Sequence, residues 1–283
     1  MNIGFVGAGK VGFSLGKFFA EGGAQLTGYY SRHPGTAKEA AHFTDSRFYD
    51  TLDSLAQDSD ALLLTVPDGA ITPVYHQLAQ FEIVGKQICH CSGAMTAGEA
   101  FPEIARTGAH GYSIHPLFPF SNKLECYREL PGAFFCIEGD GPHLPEWQAF
   151  LQSLGAQVQP IQPEAKARYH AACAISSNLV CALVQESVEL LETCGFPPDT
   201  ALRALAPLIQ SNAEHILQKG PVQALTGPIE RGDAGTVQKH LACFPSREER
   251  ELYRVVSRKL VETAEQKHPE TDYTALETLL KEG

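Results

Sequence analysis

The sequence is short of positive charge. Its 283 residues include 22 Lys and Arg against 33 Asp and Glu, which gives a formal net charge of −11. A nucleic-acid or anionic-membrane surface needs clustered basic residues, so neither kind of partner is expected. Because an acidic protein can still hold a basic pocket, the overall charge says nothing positive about a small-molecule substrate.

The sequence also contains no C-x-x-C pair among its eight cysteines, and we expect neither a leader segment nor a membrane-spanning run. Cys89 and Cys91 flank His90, but alternation along a strand would put both thiols on one face and the imidazole on the other, so we expect no metal site. No charged leader precedes the first apolar run, and the apolar run at 171–184 is too short for a membrane span. We therefore expect a cytoplasmic protein with reduced cysteines.

Two kinds of pattern divide the chain near residue 162. Before it, short apolar runs alternate with helix-like stretches, which is typical of βα units and a parallel sheet; beyond it, only helical periodicity continues. Strands are predicted at 2–6, 24–30, 47–50, 61–66, 87–91, 110–115, 133–138 and 156–161, and later helices at 164–194, 198–219, 234–243, 246–266 and 272–281. The prediction is an α/β fold, with a mostly parallel sheet in residues 1–162 and an all-helical domain in residues 163–283.

The first predicted strand runs directly into a glycine-rich turn, GFVGAGKVG at residues 4–12. Gly7 permits a tight turn, Gly9 lets a pyrophosphate approach the backbone, and Gly12 lets the following helix pack closely on the strand. A glycine turn without a ligand is the alternative. The order of strand, turn and amphipathic helix favours a Rossmann-type dinucleotide site, with the phosphates at the positive end of the helix.

The end of the second predicted strand lacks the carboxylate that usually binds the ribose 2′-hydroxyl of NAD. The chain reads Tyr30-Ser31-Arg32-His33 at that point. A hydroxyl followed by a guanidinium suits a 2′-phosphate, because arginine offers a bidentate fork to phosphate oxygens. A solvated surface arginine is the alternative. We expect NADP(H) to be favoured over NAD(H).

Ligands of open α/β sheets lie outside the carboxyl ends of the strands. Three predicted loops occupy that position: Pro67-Asp68, where Asp68 could cap the next helix, Ser92-Gly93, and the loop at His115. Ser92-Gly93 would allow close passage of a nicotinamide ribose, and His115 either faces the substrate or anchors its loop. The residues predicted to bind the cofactor are Gly7, Ala8, Gly9, Lys10, Val11, Gly12, Ser31, Arg32, Val66, Pro67, Asp68, Ser92 and Gly93.

Four polar residues stand on the otherwise apolar helix predicted at 164–194. Lys166 and His170 are one turn apart, and Ser177 and Asn178 follow so that one broad face carries all four. Polar groups on an apolar helix are usually paired or functional. The alternative is a buried His–Ser network whose hydrogen bonds are satisfied.

A third polar segment is TGPIERGDAGTV at 226–237. Asp233 is placed to cap the helix that follows it. Capping explains Asp233 but does not explain Arg231, which could bind a substrate carboxylate.

Seven segments carry a resemblance to one little-characterised family: GFVGAGKVG, SRH at 31–33, VPD at 66–68, CSGA at 91–94, IHPLFPF at 114–120, KARYHAACAISSN at 166–178 and TGPIERGDAGTV. The sequence resembles Rossmann-like proteins with a helical C-terminal domain that are provisionally named NADP oxidoreductases. It is more distantly similar to ketopantoate reductases, hydroxyisobutyrate dehydrogenases and pyrroline-carboxylate reductases. The resemblance covers nearly the whole chain and implies NAD(P)-dependent reduction at a domain interface, usually in a homodimer.

The resemblance also implies site residues. In the hydroxy-acid dehydrogenase branch, a lysine on the first helix after the Rossmann domain donates the proton and an asparagine on that helix orients the substrate. Lys166 and Asn178 resemble that pair, but they are much farther apart in the sequence than the lysine and asparagine of those dehydrogenases. We expect His170 to be the acid, with Lys166 second, because imidazole titrates near neutrality. Ser177 and Asn178 would orient the carbonyl, and Arg231 would hold a carboxylate.

The expected function is NADP(H)-dependent reduction of a small 2-oxo acid or related carbonyl, with ketopantoate as a first substrate to test by family analogy. Imine reduction of the pyrroline-carboxylate type is an alternative that asks less of a proton donor, because the iminium arrives protonated. A non-catalytic nicotinamide-binding redox sensor is another, although it has no use for a proton donor at 166–178. The long apolar helix at 164–194 favours a homodimer.

Overall fold

The computed structural model describes residues 1–281, and all eight predicted strands form in it. They are β1 (Asn2–Val6), β2 (Gln25–Tyr30), β3 (Arg47–Phe48), β4 (Ala61–Leu64), β5 (Gln87–His90), β6 (His110–Pro116), β7 (Phe134–Glu138) and β8 (Gln157–Pro160). They make one sheet in the order β3-β2-β1-β4-β5-β6-β7-β8. Only the β6–β7 pairing is antiparallel among the described strands, so the expected α/β fold with a mostly parallel sheet is confirmed.

The sheet reverses its direction of growth between β1 and β4. From β1, the strands β2 and β3 extend to one side, and β4 to β8 extend to the other. Such a reversal opens a crevice at the carboxyl ends of the two strands that flank it. The connecting helices are α1 (Lys10–Glu21), α2 (Pro34–Phe43), α3 (Leu52–Asp58), α4 (Asp68–Leu78), α5 (Ala97–Ala100) and α6 (Leu144–Ser153).

Helix α1 packs on the sheet through the apolar face expected of an amphipathic helix. Leu15, Phe18 and Phe19 are buried, and each buried side chain of this size stabilises the fold by about 1.5–3 kcal/mol. Phe19 lies against Phe5 of β1, with ring centroids 6.0 Å apart. The helix ends at Glu21, immediately before two glycines, which commonly end helices. A second apolar cluster covers the opposite face of the sheet, which explains why β4 is apolar along its whole length.

The described chain divides into two compact units, Met1–Ser176 and the residues from Ser177 on. The sequence placed the division earlier, after residue 162. The difference arises because helix α7 (Lys166–Ser176) packs with the sheet. Its Lys166 is buried and donates a hydrogen bond to Ser113 of β6 across 2.5 Å, so the sheet anchors the start of the helix.

The second unit is all helical, as predicted. It contains α8 (Asn178–Thr193), α9 (Pro198–Ala224), α10 (Ala234–Cys243), α11 (Arg247–Lys267) and α12 (Thr274–Lys281). Its core is formed by Ile229, Val237, Leu241, Val261, Ala264, Tyr273, Leu276 and Leu280. Asp233 caps α10 by accepting a hydrogen bond from the Thr236 amide across 2.9 Å, which confirms its predicted role.

The single helix predicted at 164–194 is in fact two helices. Ser177 separates α7 from α8 and has a non-helical backbone, with φ −127° and ψ −78°. The Ser176 hydroxyl bonds back to two carbonyls of the preceding turn, each at 3.1 Å. Short polar side chains compete in this way with the regular helical hydrogen bonds. The polar face predicted to continue from α7 to Asn178 is therefore interrupted.

Helices α7 and α8 form an exposed apolar stretch. By length and composition alone, Pro163–Thr193 could cross a membrane, and none of its most apolar window is buried. From the sequence only the shorter run at 171–184 was considered, so the length of this apolar stretch was underestimated. Exposed apolar side chains occur on α8 and α9 at Leu179, Val180, Leu183, Leu202, Leu208, Ile216 and Leu217. A surface of this kind usually marks an interaction site.

Candidate functional site

The turn between β1 and α1 has the close packing that its glycine spacing predicts. Gly7 has φ +108°, and a Cβ there would lie 2.8 Å from the Thr65 carbonyl oxygen. A Cβ on Gly12 would lie 2.6 Å from the Gly7 carbonyl oxygen. A Cβ on Gly9, by contrast, would meet nothing within 4 Å in the described chain. The turn is therefore closed at Gly7 and Gly12 and open at Gly9, where the amino end of α1 can receive an anion.

A cleft of about 370 Å³ lies against this turn. The predicted cofactor residues that line it are Gly7, Ala8, Gly9, Ser31, Arg32, Val66 and Pro67. Tyr30, His33, Thr36 and Gln77 supply further polar groups, and no Asp or Glu is among the described residues that line the cleft. The volume falls within the range of small-molecule and cofactor sites.

Arg32 stands exposed in this cleft. Within residues 1–281 its side chain has neither a hydrogen-bond nor an ion-pair partner. Beside it, the Ser31 hydroxyl accepts a hydrogen bond from the His33 amide across 3.3 Å. The guanidinium is thus available to an anionic group, and no carboxylate of the described cleft competes for it.

The remaining predicted cofactor residues do not line this cleft. Lys10, Val11 and Gly12 begin α1. Asp68 was expected to cap α4, but Pro67 holds the cap position and α4 begins at Asp68 itself. The Asp68 carboxylate instead accepts a hydrogen bond from the Ser92 hydroxyl across 2.7 Å. This bond joins the loop after β4 to the loop after β5, next to Gly93.

Two histidines meet at Gly93. A Cβ at this position would lie 2.6 Å from Cδ2 of His170 and 2.8 Å from Nε2 of His115. The two imidazole centroids are 6.4 Å apart, with an interplanar angle of 79°. His115 is half-buried and His170 is exposed. The structure thus brings together two residues that the sequence predicted separately, and only glycine leaves room for both rings.

Tyr169 holds His115 from the side opposite Gly93. Its hydroxyl lies 2.6 Å from Nδ1 of His115, and the thiols of Cys136 and Cys173 are neighbours that influence its pKa. Burial raises the pKa of Tyr169, so the phenol stays protonated. Burial, the nearby Lys166 charge and the neighbouring His170 lower the pKa of His115 to about 4. His115 is therefore a neutral imidazole at physiological pH.

Lys166 is a buried neighbour of Tyr169 and His115. It is 1% exposed, its ammonium donates to Ser113 across 2.5 Å, and the ammonium nitrogen is 5.7 Å from the centroid of the Tyr169 ring. Burial lowers the pKa of Lys166, an effect opposed by Cys136 and Glu138. The ammonium is therefore a buried group of the scaffold within this unit.

Sequence reasoning missed three members of this cluster: Tyr169, Ser113 and His90. His90 is fully buried, and its Nδ1 accepts a hydrogen bond from the Ser92 amide across 3.1 Å. Burial and the Lys166 charge lower the pKa of His90 to about 3, so it stays neutral. Tyr169 could have been found, because it stands three residues after Lys166 and therefore on the same side of the helix.

Three predicted site residues belong to the second unit and are absent from the cluster just described. Ser177 and Asn178 are exposed, and the Ser177 hydroxyl donates to the Asn178 side-chain oxygen across 3.2 Å. Arg231 is exposed on the loop before α10. Within residues 1–281, no group of three or more His, Cys, Asp or Glu side chains is placed to hold a metal ion.

The strand order, the glycine turn and the adjoining cleft define a Rossmann-type nucleotide-binding fold. Residues 1–116 match the profile of the Rossmann-like domain. Residues 133–260 match the profile of a domain of unknown function, DUF2520. The chain therefore combines a Rossmann-like domain with a DUF2520 domain, which confirms the resemblance identified in the sequence.

Solved structures share this architecture over nearly the whole chain. Protein TM1727 from Thermotoga maritima is 26% identical, with a TM-score of 0.75 over 94% of this chain and 99% of that one. BF3122 from Bacteroides fragilis, provisionally named an NADP oxidoreductase, is 23% identical, with a TM-score of 0.67 over 92% and 98%. A reductive aminase from Aspergillus terreus, solved with NADPH and ethyl-5-oxohexanoate, is 16% identical, with a TM-score of 0.62 over 99% of each chain. No curated protein sequence matches the chain significantly.

Proposed function

We propose that this protein is an NADP(H)-dependent reductase of a small carbonyl compound, with 2-oxo acids such as ketopantoate as the first substrates to test. The observation that carries the proposal is the carboxylate-free cleft at the Gly9 turn, with the unpaired Arg32 in it. The names of two similar structures, an NADP oxidoreductase and a reductive aminase solved with NADPH, support it.

The residues of the cleft suit the parts of NADPH. The open space at Gly9 admits a pyrophosphate at the amino end of α1. Ser31 and Arg32 suit the 2′-phosphate, because a hydroxyl and a guanidinium both donate to phosphate oxygens. When bound, NADPH supplies a hydride. The loop of Ser92 and Gly93 would then lie beside the nicotinamide ribose.

His170 is the proposed proton donor. It is exposed, so it can regain a proton from water after each turnover. As the carbonyl carbon gains hydride, the carbonyl oxygen takes the proton of His170, and the net products are an alcohol and NADP⁺. Lys166, the second candidate, donates to Ser113 and is buried, so we place it as a supporting cation. Ser177 and Asn178 keep the proposed role of orienting the carbonyl, and Arg231 that of holding a substrate carboxylate.

Reduction of an imine is the second candidate function. The likeness to a reductive aminase over 99% of both chains favours it. An iminium carries its own proton, so the hydride alone completes the reaction and His170 would be dispensable. Carbonyl reduction predicts that His170→Gln lowers turnover by about 10²–10⁴-fold, the usual contribution of an acid or base; imine reduction predicts little change.

We also propose that the protein is a cytoplasmic homodimer. The exposed apolar side chains of α8 and α9 support a contact with a second copy. Light scattering on the purified protein should give twice the chain mass, and Leu179→Lys with Leu183→Lys should give monomers. Recovery of the wild-type protein only with membranes would instead favour insertion of the stretch Pro163–Thr193.

Paired titrations of NADPH and NADH test the cofactor. Removing a charge-assisted hydrogen bond costs about 1.5–3 kcal/mol, so Arg32→Ala should weaken NADPH binding by about 10- to 150-fold and leave NADH binding nearly unchanged. Arg106→Ala is the matched control, because Arg106 is equally a surface arginine but pairs with Glu103 outside the cleft. Equal or absent binding of both cofactors would contradict the proposed function.

A further inference from the structure

The contact between Tyr169 and His115 determines which nitrogen of the His115 ring carries the proton. The hydroxyl of Tyr169 and Nδ1 of His115 are 2.6 Å apart, and the two rings are nearly perpendicular, at 82°. Both side chains are half-buried. A neutral imidazole carries one proton, on either Nδ1 or Nε2, and its hydrogen-bond partner selects the nitrogen.

The surroundings of the Tyr169 hydroxyl determine which way this hydrogen bond runs. The thiols of Cys136 and Cys173 are the other polar neighbours of the hydroxyl that influence its pKa. A thiol is a weak acceptor, whereas an unprotonated imidazole nitrogen is a good one. The phenolic proton therefore goes to Nδ1 of His115, the better acceptor. This arrangement leaves the His115 proton on Nε2.

The Nε2 atom of His115 faces the loop after β5. It lies 2.8 Å from the place that a Cβ on Gly93 would occupy, and Cδ2 of His170 lies 2.6 Å from the same place. The N–H group thus points toward the carboxyl ends of the strands, where ligands of this fold bind. The neighbouring exposed His170 is placed to reach the same ligand.

We propose that His115 is a catalytic residue that donates an Nε2–H hydrogen bond to the substrate carbonyl oxygen, and that Tyr169 is the positioning residue that fixes this tautomer. The role toward substrate rests on the proposed reductase function, whereas the tautomer does not. A neutral imidazole that polarises a carbonyl need not give up its proton. His170 supplies the proton that the oxygen finally takes, so the reaction remains balanced.

The groups around His115 keep it in the neutral form. From α7 it is faced by Lys166, Tyr169 and His170, and the opposing position on β7 is Cys136. Burial and the positive charge of Lys166 both disfavour an imidazolium, so its pKa falls to about 4. Glu138 on β7 acts mainly on Lys166, and no described carboxylate stabilises a charged His115.

The tautomer can be measured without a substrate. Nitrogen-15 NMR of the full chain at neutral pH should show His115 with its proton on Nε2. Tyr169→Phe should shift it toward a mixture of the two tautomers. Tyr253→Phe is the matched control, because Tyr253 makes the equivalent contact to Nδ1 of His240, at 2.8 Å; its loss should alter His240 and leave His115 unchanged. A proton on Nδ1 of His115, or no change in Tyr169→Phe, would overturn the assignment to Tyr169.

The role toward substrate needs steady-state NADPH oxidation with a carbonyl substrate. Loss of one preorganised donor costs about 10²–10³-fold in kcat, so His115→Leu should lose that much, with KM changed far less. His115→Gln retains an N–H near the same place and should recover part of the loss. Tyr169→Phe should lower kcat about 2-fold if the two tautomers become equally populated, because only the form with its proton on Nε2 can donate to the substrate, while Tyr75→Phe, which changes a buried tyrosine outside the site, should leave kcat unchanged.

The outcomes separate this proposal from the proposed function. Turnover that is unchanged in both His115 variants would overturn the role of His115 and leave the reductase intact. Binding of NADPH without turnover of any carbonyl would overturn both the reductase and the role of His115 toward substrate. The NMR result would still decide the role of Tyr169 in that case.

Discussion

Replacing Gly9 by alanine should weaken cofactor binding without harming the fold. An added Cβ would meet no atom of the described chain within 4 Å. The backbone at Gly9 has φ −87° and ψ −170°, which is extended and open to any residue. Gly→Ala at such a position stabilises a protein by about 0.4–1 kcal/mol, because the unfolded chain loses freedom.

The cost of Gly9→Ala should appear only when a dinucleotide binds. The methyl group would occupy the space through which a pyrophosphate reaches the amino end of α1. Forcing an extra carbon into a close contact costs about 1–3 kcal/mol, so NADPH affinity should fall by about 5- to 150-fold. Isothermal titration with NADPH gives the affinity, and urea denaturation without ligand gives the free energy of unfolding.

Alanine variants of two other glycines provide comparisons for Gly9→Ala. Gly12→Ala puts a Cβ 2.6 Å from the Gly7 carbonyl oxygen, so it should lower the free energy of unfolding by about 1–3 kcal/mol even without ligand. Gly98→Ala, whose Cβ would come only within 4.0 Å of Thr96, should change neither quantity much. Unchanged NADPH affinity in a folded Gly9→Ala variant would refute the dinucleotide site at this turn.

Three other perturbations have expected outcomes. Gly93→Ala should displace the rings that meet there and, because misplacement by about 1 Å can cost 10²-fold, lower kcat by that order; wild-type kcat would contradict the placement of the site. Lys166→Met removes a charge that lowers the pKa of His115, so an NMR titration should show that pKa moving up toward 6.5; a fall would contradict it. Glu230 accepts hydrogen bonds from His268 and Lys267, which lower its pKa below 4.5. Its contribution to the free energy of unfolding is therefore present above pH 4.5 and is lost as the pH falls through the lowered pKa. In urea denaturation, Glu230→Gln should therefore have a lower free energy of unfolding than the wild type at neutral pH, and the difference should disappear in acid. A difference that grows in acid would refute the reasoning.

The regular elements were predictable from the sequence because each depends on a local pattern. All eight strands form where apolar runs predict them, and α10 has the bounds that its Asp233 cap and periodicity predict. The break at Ser177 was not predictable by the same means. Apolar residues continue on both sides of it with helical spacing, and the local polar signal is slight: the Ser176 hydroxyl, which bonds to carbonyls of the preceding turn, competes with the helical hydrogen bonds.

The residues that line the cleft at the glycine turn were also largely predictable as neighbours, because they are near one another in the sequence or follow neighbouring strands. The histidine cluster was harder. His115 and His170 are far apart in sequence, and Gly93 meets both rings only after β5, β6 and α7 have packed together. The sequence identified these residues as polar and well placed, but it could not show that Tyr169 bonds to His115.

The acidic chain and the proposed anionic cofactor are compatible because charge acts locally in salt solution. The formal net charge of −11 opposes NADPH only at long range, and at physiological ionic strength charges are screened beyond about 8 Å. Within that distance the cleft offers Arg32 and the amino end of α1, and none of its described lining residues is acidic. Binding of NADPH should therefore weaken as salt rises, since the groups nearest the phosphates are the positive ones. An affinity that rises with salt would mean that the net charge of the chain outweighs Arg32, and the cleft would then be a poor site for a phosphate.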